Sequence, residues 1–271
     1  MISTLLVGFG FSATTFHLPF LNYLPQFSVD VVISSKPDTV KALLPHAEVY
    51  SSLEEALKIH DGKLGDIKRL ESRFDRFRPM PRDRWRENAG PGSGIFWDLG
   101  PHLIDQALQL FGEPEKVSAN ILALRENGQS DDTFDITLHY SDKVVKLGSS
   151  AFQAGATLRY DLQGTKGSFR KFYLDPQEDQ LRAGLSFDDE NWAKTKEEQH
   201  GVLVVANHSG ALEEETIETF KGEYLTFFNR LAHAIEDGNF SPADASTVIP
   251  VIKIIELAMN ANEQNKALPF N

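Results

Sequence analysis

The fold is decided by a short stretch near the start of the chain, Gly8-Phe9-Gly10-Phe11-Ser12-Ala13. It follows the apolar run Leu5–Val7 and precedes a stretch that can form a helix. A Gly-x-Gly-x-x-Gly/Ala pattern between a strand and a helix is typical of dinucleotide-binding domains, because the small residues permit a tight turn and admit a pyrophosphate close to the backbone. We therefore predict that residues 8–13 bind nucleotide phosphates at a helix N-terminus.

Only half of such a domain can be found. Short apolar runs over 5–7, 29–33 and 48–50 predict three parallel strands, whereas a doubly wound dinucleotide domain has about six. The pattern stops at a polar break, and the missing strands belong between Leu57 and Gly62. Either the chain has a true internal deletion there, or the natural polypeptide contains residues that this sequence lacks. We expect the second, because a deletion would leave half a sheet with an open edge.

The rest of the chain predicts an α+β domain. Alternation over 117–173, clearest at Phe134, Ile136 and Leu138, indicates half-buried antiparallel strands, and 174–220 is expected to be irregular. Apolar residues at helical spacing predict three helices, over 103–111, 224–235 and 248–258.

The predicted fold class is therefore α/β plus α+β. We assign residues 1–61 to a partial Rossmann domain that binds NAD(P). Residues 62–271 form the second domain, and we expect its C-terminal helices to pack back on the first.

Composition excludes several classes of function. The net charge of −12 argues against nucleic-acid binding, and the absence of cysteine excludes disulfides and thiolate zinc sites. No run of residues is long and apolar enough for a membrane span, and the first basic residue is Lys36, so no signal peptide is expected. We expect a cytoplasmic protein with no membrane partner, and the histidine spacings predict no metal site.

A second informative segment runs from Gly94 to His102. Gly100 suits a helix N-cap and Pro101 the first helical position, which would place His102 in the first turn with Asp98 just before it. A helix N-terminus disfavours imidazolium, so His102 is expected to be neutral and able to accept a proton. Asp98 would then orient His102 or bind a substrate hydroxyl. The alternative is a structural histidine beside a solvated aspartate.

The residues after the second strand bear on the choice of cofactor. Ser34, Ser35 and Lys36 stand where an NAD enzyme usually places Asp or Glu for the ribose hydroxyls. Serines and a lysine suit a 2′-phosphate instead, which predicts that NADP(H) is preferred and NAD(H) is possible. The alternative is an ordinary solvated turn.

Residues 66–86 form a basic island with eight basic and four acidic side chains. It could bind a phosphate or an anionic sugar. The alternative is that charges alternating along a strand, such as Arg69, Glu71, Arg73 and Asp75, pair across a sheet.

Together these segments resemble the Gfo/Idh/MocA family of oxidoreductases. The resemblance rests on 8–13, on Gly94-x-x-x-Asp98-x-Gly100-x-His102-x-x-Asp105, on 74–79 and on 222–235. It implies NAD(P)-dependent oxidation or reduction of a small sugar or polyol, with His102 as acid/base and Asp98 beside it. It also implies a large open sheet in the second domain, and hence a homo-oligomer, a dimer or tetramer formed through that sheet.

One departure from the family pattern leaves the activity open. The family carries a Glu-Lys-Pro segment whose lysine shares in proton transfer, and this sequence contains no such segment. The alternatives to a dehydrogenase are a non-catalytic nucleotide- or sugar-binding sensor of the same fold and a purely structural oligomer.

Overall fold

The structure is a computed structural model. It describes residues 63–186, 189–207, 209–219 and 248–270, together with the backbone of three strands nearer the start of the chain. The predicted helix over 224–235 lies outside the described residues, as does the expected break between Leu57 and Gly62.

The first three strands form a small parallel sheet. They are β1 (Ile2–Val7), β2 (Phe27–Ile33) and β3 (Glu48–Tyr50), with β2 in the middle. This order is one half of a doubly wound sheet, in which β1 would be central. Among the described residues no strand pairs with the outer edge of β1. The predicted parallel strands are confirmed, whereas the incompleteness of the sheet stays a prediction.

A nine-stranded, mostly antiparallel sheet follows, in the order β11-β10-β9-β8-β4-β7-β6-β5-β12. The one parallel pair is β4 with β7. The strands, in chain order, are β4 (Ile67–Arg73), β5 (Lys116–Leu122), β6 (Thr133–His139), β7 (Val144–Ser150), β8 (Leu158–Gly164), β9 (Gly167–Phe172), β10 (Gly201–Ala206), β11 (Leu212–Ile217) and β12 (Leu268–Pro269).

Two long helices, α1 (Ile95–Phe111) and α3 (Ile249–Gln264), cover one face of this sheet. Between them and the strands lies the core, which includes Phe134, Ile136 and Leu138, all with no exposed surface. The alternation therefore predicts the buried face correctly. A short helix, α2 (Gln177–Arg182), and a 3₁₀ turn (Glu197–Gln199) lie outside this layer.

The opposite face of the sheet is polar and open. Glu71, Asp135 and Lys146 point there, because side chains alternate between the two faces of a strand. The large open sheet is confirmed, whereas oligomerisation through it stays a prediction. Within the described ranges no helix combines the length and the apolar character that a membrane crossing requires. The cytoplasmic location also stays a prediction.

Two predictions about the second domain need correction. Residues 174–220 are not irregular, because β10 and β11 form an antiparallel hairpin at the sheet edge. The apolar stripe expected on the last helix, Val248, Ile252, Ile255 and Ala258, is only partly right. Ile255 and Ala258 are buried, but Val248 and Ile252 are exposed and Val251 and Ile254 are buried in their place. The helix is thus rotated so that its neighbouring apolar residues face β5 and α1.

Candidate active site

The predicted start of α1 at Gly100 is wrong. The helix begins six residues earlier, with Gly94 as its N-cap at φ 97° and ψ 161°. Only glycine adopts this backbone conformation readily. The start is fixed by a distant residue rather than by local sequence, because the backbone N–H of Phe96 donates to the Asp131 carboxylate at 2.7 Å. The N–H of Ile95 donates to the Asp131 carbonyl oxygen at 2.9 Å.

Asp131 closes tightly over this helix end. A Cβ added to Gly94 would stand 1.9 Å from the carboxylate of Asp131, so no larger residue fits without displacing the cap. Burial of the Asp131 carboxyl is the largest influence on its pKa and raises it, while the backbone N–H donors oppose the shift. The cap therefore holds a desolvated acid against the helix terminus.

The earlier start changes the positions of the two predicted catalytic residues. Asp98 lies in the first turn, where the helix dipole favours a negative charge, and His102 lies one turn further in. His102 is therefore not in the first turn, and the prediction that the helix terminus keeps it neutral is wrong. Pro101 lies inside the helix and offers no N–H to the Trp97 carbonyl, while Gly100 is buried against the ring of Phe96.

Asp98 and His102 share one face of α1, because residues four apart on a helix are neighbours. The Asp98 carboxylate forms an ion pair with Arg86 at 3.0 Å. Among the described residues no hydrogen bond joins Asp98 to His102, which is exposed. The structure therefore brings the pair to one surface but gives Asp98 an arginine partner, which the sequence had not indicated.

The cleft in front of Asp98, which we call the Asp98 cleft, is strongly basic. It is lined by five arginines together with Glu87, Asp98 and Asp131, and the arginines are Arg76, Arg78, Arg84, Arg86 and Arg125. Neighbouring arginines therefore surround the first turn of α1.

A buried ion network anchors the loops around this cleft. Arg125 donates to Glu87 at 2.8 Å and lies 3.3 Å from Asp132, and all three side chains are nearly inaccessible. Burial acts to raise the pKa of the Glu87 carboxyl, but hydrogen bonds from the Arg82 backbone, Arg84 and Arg125 outweigh it and lower that pKa. The network joins the segment before Gly94 to the segment that carries Asp131.

A second cleft, the Arg159 cleft, opens one turn further along the same helix. Gln106, four residues after His102, accepts hydrogen bonds from Arg159 Nη2 at 2.6 Å and from the Tyr160 hydroxyl at 3.2 Å. Arg76 and Arg78 line both clefts. Sequence reasoning missed Gln106, Arg159 and Tyr160, although the spacing of Gln106 from His102 was a usable signal.

The predicted cofactor-binding residues lie outside the described residues, in both 8–13 and Ser34-Ser35-Lys36. The strands that lead into them are described. Val7 and Ile33, the last residues of β1 and β2, are register partners in a parallel pair, so both segments leave the sheet at one edge. In the described part of the chain no group of three or more His, Asp or Glu side chains could hold a metal ion.

Comparison with known proteins assigns the chain to a family. The profile described as "Oxidoreductase family, C-terminal alpha/beta domain", that of Gfo/Idh/MocA proteins, matches residues 57–270. The chain belongs to the Gfo/Idh/MocA family of oxidoreductases. The expected resemblance and the oxidoreductase class are thereby confirmed.

Two curated relatives are similar to this chain in sequence. The scyllo-inositol 2-dehydrogenase (NADP(+)) IolW of Bacillus subtilis is 30% identical over 339 residues, covering 97% of this chain and 94% of IolW. The oxidoreductase YdgJ of Escherichia coli is 38% identical over 208 residues, covering 77% of this chain but only 59% of YdgJ. The chain thus spans less than two thirds of YdgJ. The IolW alignment is longer than the 271 residues of this chain, so IolW contains residues with no counterpart here.

Solved structures show the same likeness. The oxidoreductase yvaA of Bacillus subtilis superposes with a TM-score of 0.73 at 28% identity, covering all of this chain and 98% of the other. The YPO2259 oxidoreductase of Yersinia pestis gives a TM-score of 0.72 at 30% identity, covering all of this chain and 97% of the other.

Proposed function

We propose that this protein is an NADP-dependent oxidoreductase that exchanges hydride with a carbon bearing a hydroxyl or carbonyl group on a sugar or polyol. The observation that carries the proposal is the common face of α1 that presents Asp98 and His102 beside two clefts. Family membership supports the reaction class, and the name of IolW supports a polyol and NADP(H).

The residues that would hold the cofactor fit its chemistry. The Gly8–Ala13 turn and the Ser34-Ser35-Lys36 segment follow strands that end at one sheet edge, as a dinucleotide requires for its pyrophosphate and its ribose. The bound nicotinamide supplies the hydride acceptor or donor. Lys36 would offer a cation to the 2′-phosphate, and no acidic side chain stands among these three residues to repel it.

His102 would move the proton that accompanies hydride transfer. A ring nitrogen takes the proton from the substrate hydroxyl during oxidation and returns it during reduction. Asp98 would hold a substrate hydroxyl with its carboxylate, while Arg86 fixes the orientation of that carboxylate through their ion pair.

The test is turnover of scyllo-inositol with NADP⁺, followed by the absorbance of the reduced nicotinamide. We expect His102→Ala to lower kcat by about 10²–10⁴-fold, the usual contribution of acid–base catalysis, and Asp98→Asn to lower it less. The matched control is His139→Gln, because His139 lies on the open face and contacts Ser118 at 3.0 Å. Unchanged turnover by His102→Ala would make His102 structural.

A sensor is the second candidate, and the absence of a Glu-Lys-Pro segment favours it. A sensor would bind NADPH without turning over any polyol. Cofactor titration of the same preparation therefore separates the two functions.

A further inference from the structure

The Arg159 cleft carries more positive charge than the proposed reaction requires. Its volume is about 570 Å³, and its walls come from the segment that follows β4, from α1, β8 and β9, and from the segment around α2. Four cationic side chains on its sheet side are Arg76, Arg78, Arg159 and Lys171. The chain as a whole has a net charge of −12, so this local excess of cations contrasts with the rest of the molecule.

Arg159 is the most telling of these side chains. It is 7% exposed, and its guanidinium donates to neutral acceptors of the described residues, which are Ser72 Oγ at 2.9 Å, the Arg73 carbonyl at 3.2 Å and Gln106 Oε1 at 2.6 Å. A buried charge is costly unless an opposite charge accompanies it. Among the described residues no carboxylate pairs with Arg159.

Arg76 and Arg78, like Arg159, have no carboxylate partner among the described residues. The guanidinium carbons of Arg76 and Arg159 each lie 5.5 Å from the centroid of the Phe74 ring, so the two cations meet at one aromatic side chain. In the part of the chain described, no carboxylate forms an ion pair with Arg76 or Arg78. The neighbouring Arg73 differs, because it contacts Asp75 at 2.8 Å and Asp135 at 2.7 Å. The basic island is therefore only partly neutralised along its own strand.

The pKa shifts of two arginines and the contacts of Lys171 and Thr219 also indicate that the cleft lacks a negative partner among the described residues. Burial lowers the pKa of Arg159, and burial followed by repulsion from Arg76 and other arginines lowers that of Arg78. Lys171 is 9% exposed and donates to the Gln199 carbonyl at 2.8 Å. The buried hydroxyl of Thr219, which also lines the cleft, has no hydrogen-bond partner among the described residues.

Among the described residues that line the cleft, the carboxylates are on the α2 side, as Asp175, Glu178 and Asp179. Asp175 accepts hydrogen bonds from the backbone and side chain of Gln177 at 2.9 and 2.8 Å. Glu178 pairs with Arg182 at 2.6 Å. The first two acids therefore have partners on their own segment, and none of the three forms an ion pair with Arg159, Arg76 or Arg78 within the described residues.

We propose that the Arg159 cleft binds the carboxylate or phosphate group of an acidic sugar or polyol, with Arg159 and Arg76 as its principal ligands. This inference rests on the proposed function, because it names the substrate class of the same site. Gln106 lies about 6 Å along the helix axis from His102, the rise of four helical residues. An anionic group held at Arg159 would thus leave the remainder of a monosaccharide to reach His102.

The experiment measures binding without turnover. Isothermal titration of the full chain compares glucuronate and glucose 6-phosphate with glucose, and inorganic phosphate serves as the minimal probe. We expect at least one acidic sugar to bind tighter than glucose. Arg159→Met should weaken that binding by roughly ten- to a hundredfold, the contribution of a hydrogen bond to a charged group. Arg76→Gln should weaken it as well, and it decides the question if Arg159→Met fails to fold.

The matched control is Arg170→Gln. Arg170 neighbours Lys171 on β9 but is paired with Asp161 and is not part of the cleft wall. Equal binding of glucose and both acidic sugars would overturn the proposal, as would equal weakening by the control. Loss of probe binding when NADP⁺ is saturating would assign the site to the cofactor and overturn it too. Acidic-sugar binding with no NADP⁺ reduction would leave this inference intact and refute the proposed reaction.

Discussion

Replacing Gly94 by alanine tests whether a distant carboxylate sets the start of α1. Alanine at φ 97° and ψ 161° is strained by about 1–3 kcal/mol. The new Cβ would also stand 1.9 Å from Asp131 and push away the carboxylate that accepts the Phe96 N–H. Loss of such a cap costs about 1 kcal/mol. We therefore expect Gly94→Ala to destabilise the protein by about 3 kcal/mol.

Gly92→Ala is the matched control. Gly92 also has a positive φ, 74°, but a Cβ there meets nothing within 4 Å. It should pay only the backbone cost of about 1–2 kcal/mol. The difference between the two variants therefore contains the close approach of Asp131 together with the stronger backbone strain at Gly94.

The assay is urea unfolding, monitored by the fluorescence of Trp97 and the other tryptophans, with midpoints and slopes compared. Turnover should fall with Gly94→Ala more than with Gly92→Ala, because Asp98 lies in the first turn that Gly94 begins. Equal midpoints for the two variants would show that Asp131 does not fix the helix start.

Three further outcomes are expected. Ser34→Asp should shift the preference from NADPH toward NADH, because a carboxylate beside Lys36 repels the 2′-phosphate and binds ribose hydroxyls; fluorescence titration of both cofactors measures it, and tighter NADH binding by the unmodified protein would contradict the premise. The lowered pKa of Glu87 means that its ionised form adds stability above the unfolded pKa near 4.5 and loses it as pH falls through the folded value. The unfolding midpoints of wild type and Glu87→Gln should therefore converge on acidification, and a constant gap would oppose this. The natural polypeptide should have an intact mass above 30.3 kDa, from residues between Leu57 and Gly62; a mass equal to that value would mean a true internal deletion.

The sequence predicts those parts of the fold that repeat a local pattern. Strands with one buried face alternate in polarity, so Phe134, Ile136 and Leu138 reveal their sheet without any tertiary information. The hairpin of β10 and β11 at the sheet edge was missed because β11 lacks this alternation. Glu213, Glu214 and Glu215 in β11 are all exposed, so that strand has no apolar alternation to detect.

The candidate site was less accessible to sequence reasoning. Gly100 and Pro101 are residue types that often begin a helix. The helix nevertheless begins before them, where Asp131 accepts a hydrogen bond from the Phe96 N–H although it lies 35 residues further along the chain. No local rule can identify such a cap. Arg159 was missed because a buried arginine on a strand looks like any charged residue until its neighbours are known.

The central position of β4 has a consequence for folding kinetics. β4 is made before its partners, yet it lies between β7 and β8 and pairs with both along its length. Synthesis must reach Ser150 before β4 can pair with β7 and Gly164 before it can pair with β8, whereas β5, β6 and β7 can pair in succession as neighbours. Sheets with such non-local pairings fold in about milliseconds to seconds, because chain entropy is lost before the contacts form. Insertion of β4 is thus the expected slow step, and until it occurs the nascent chain presents β7 as an unpaired strand edge to other molecules.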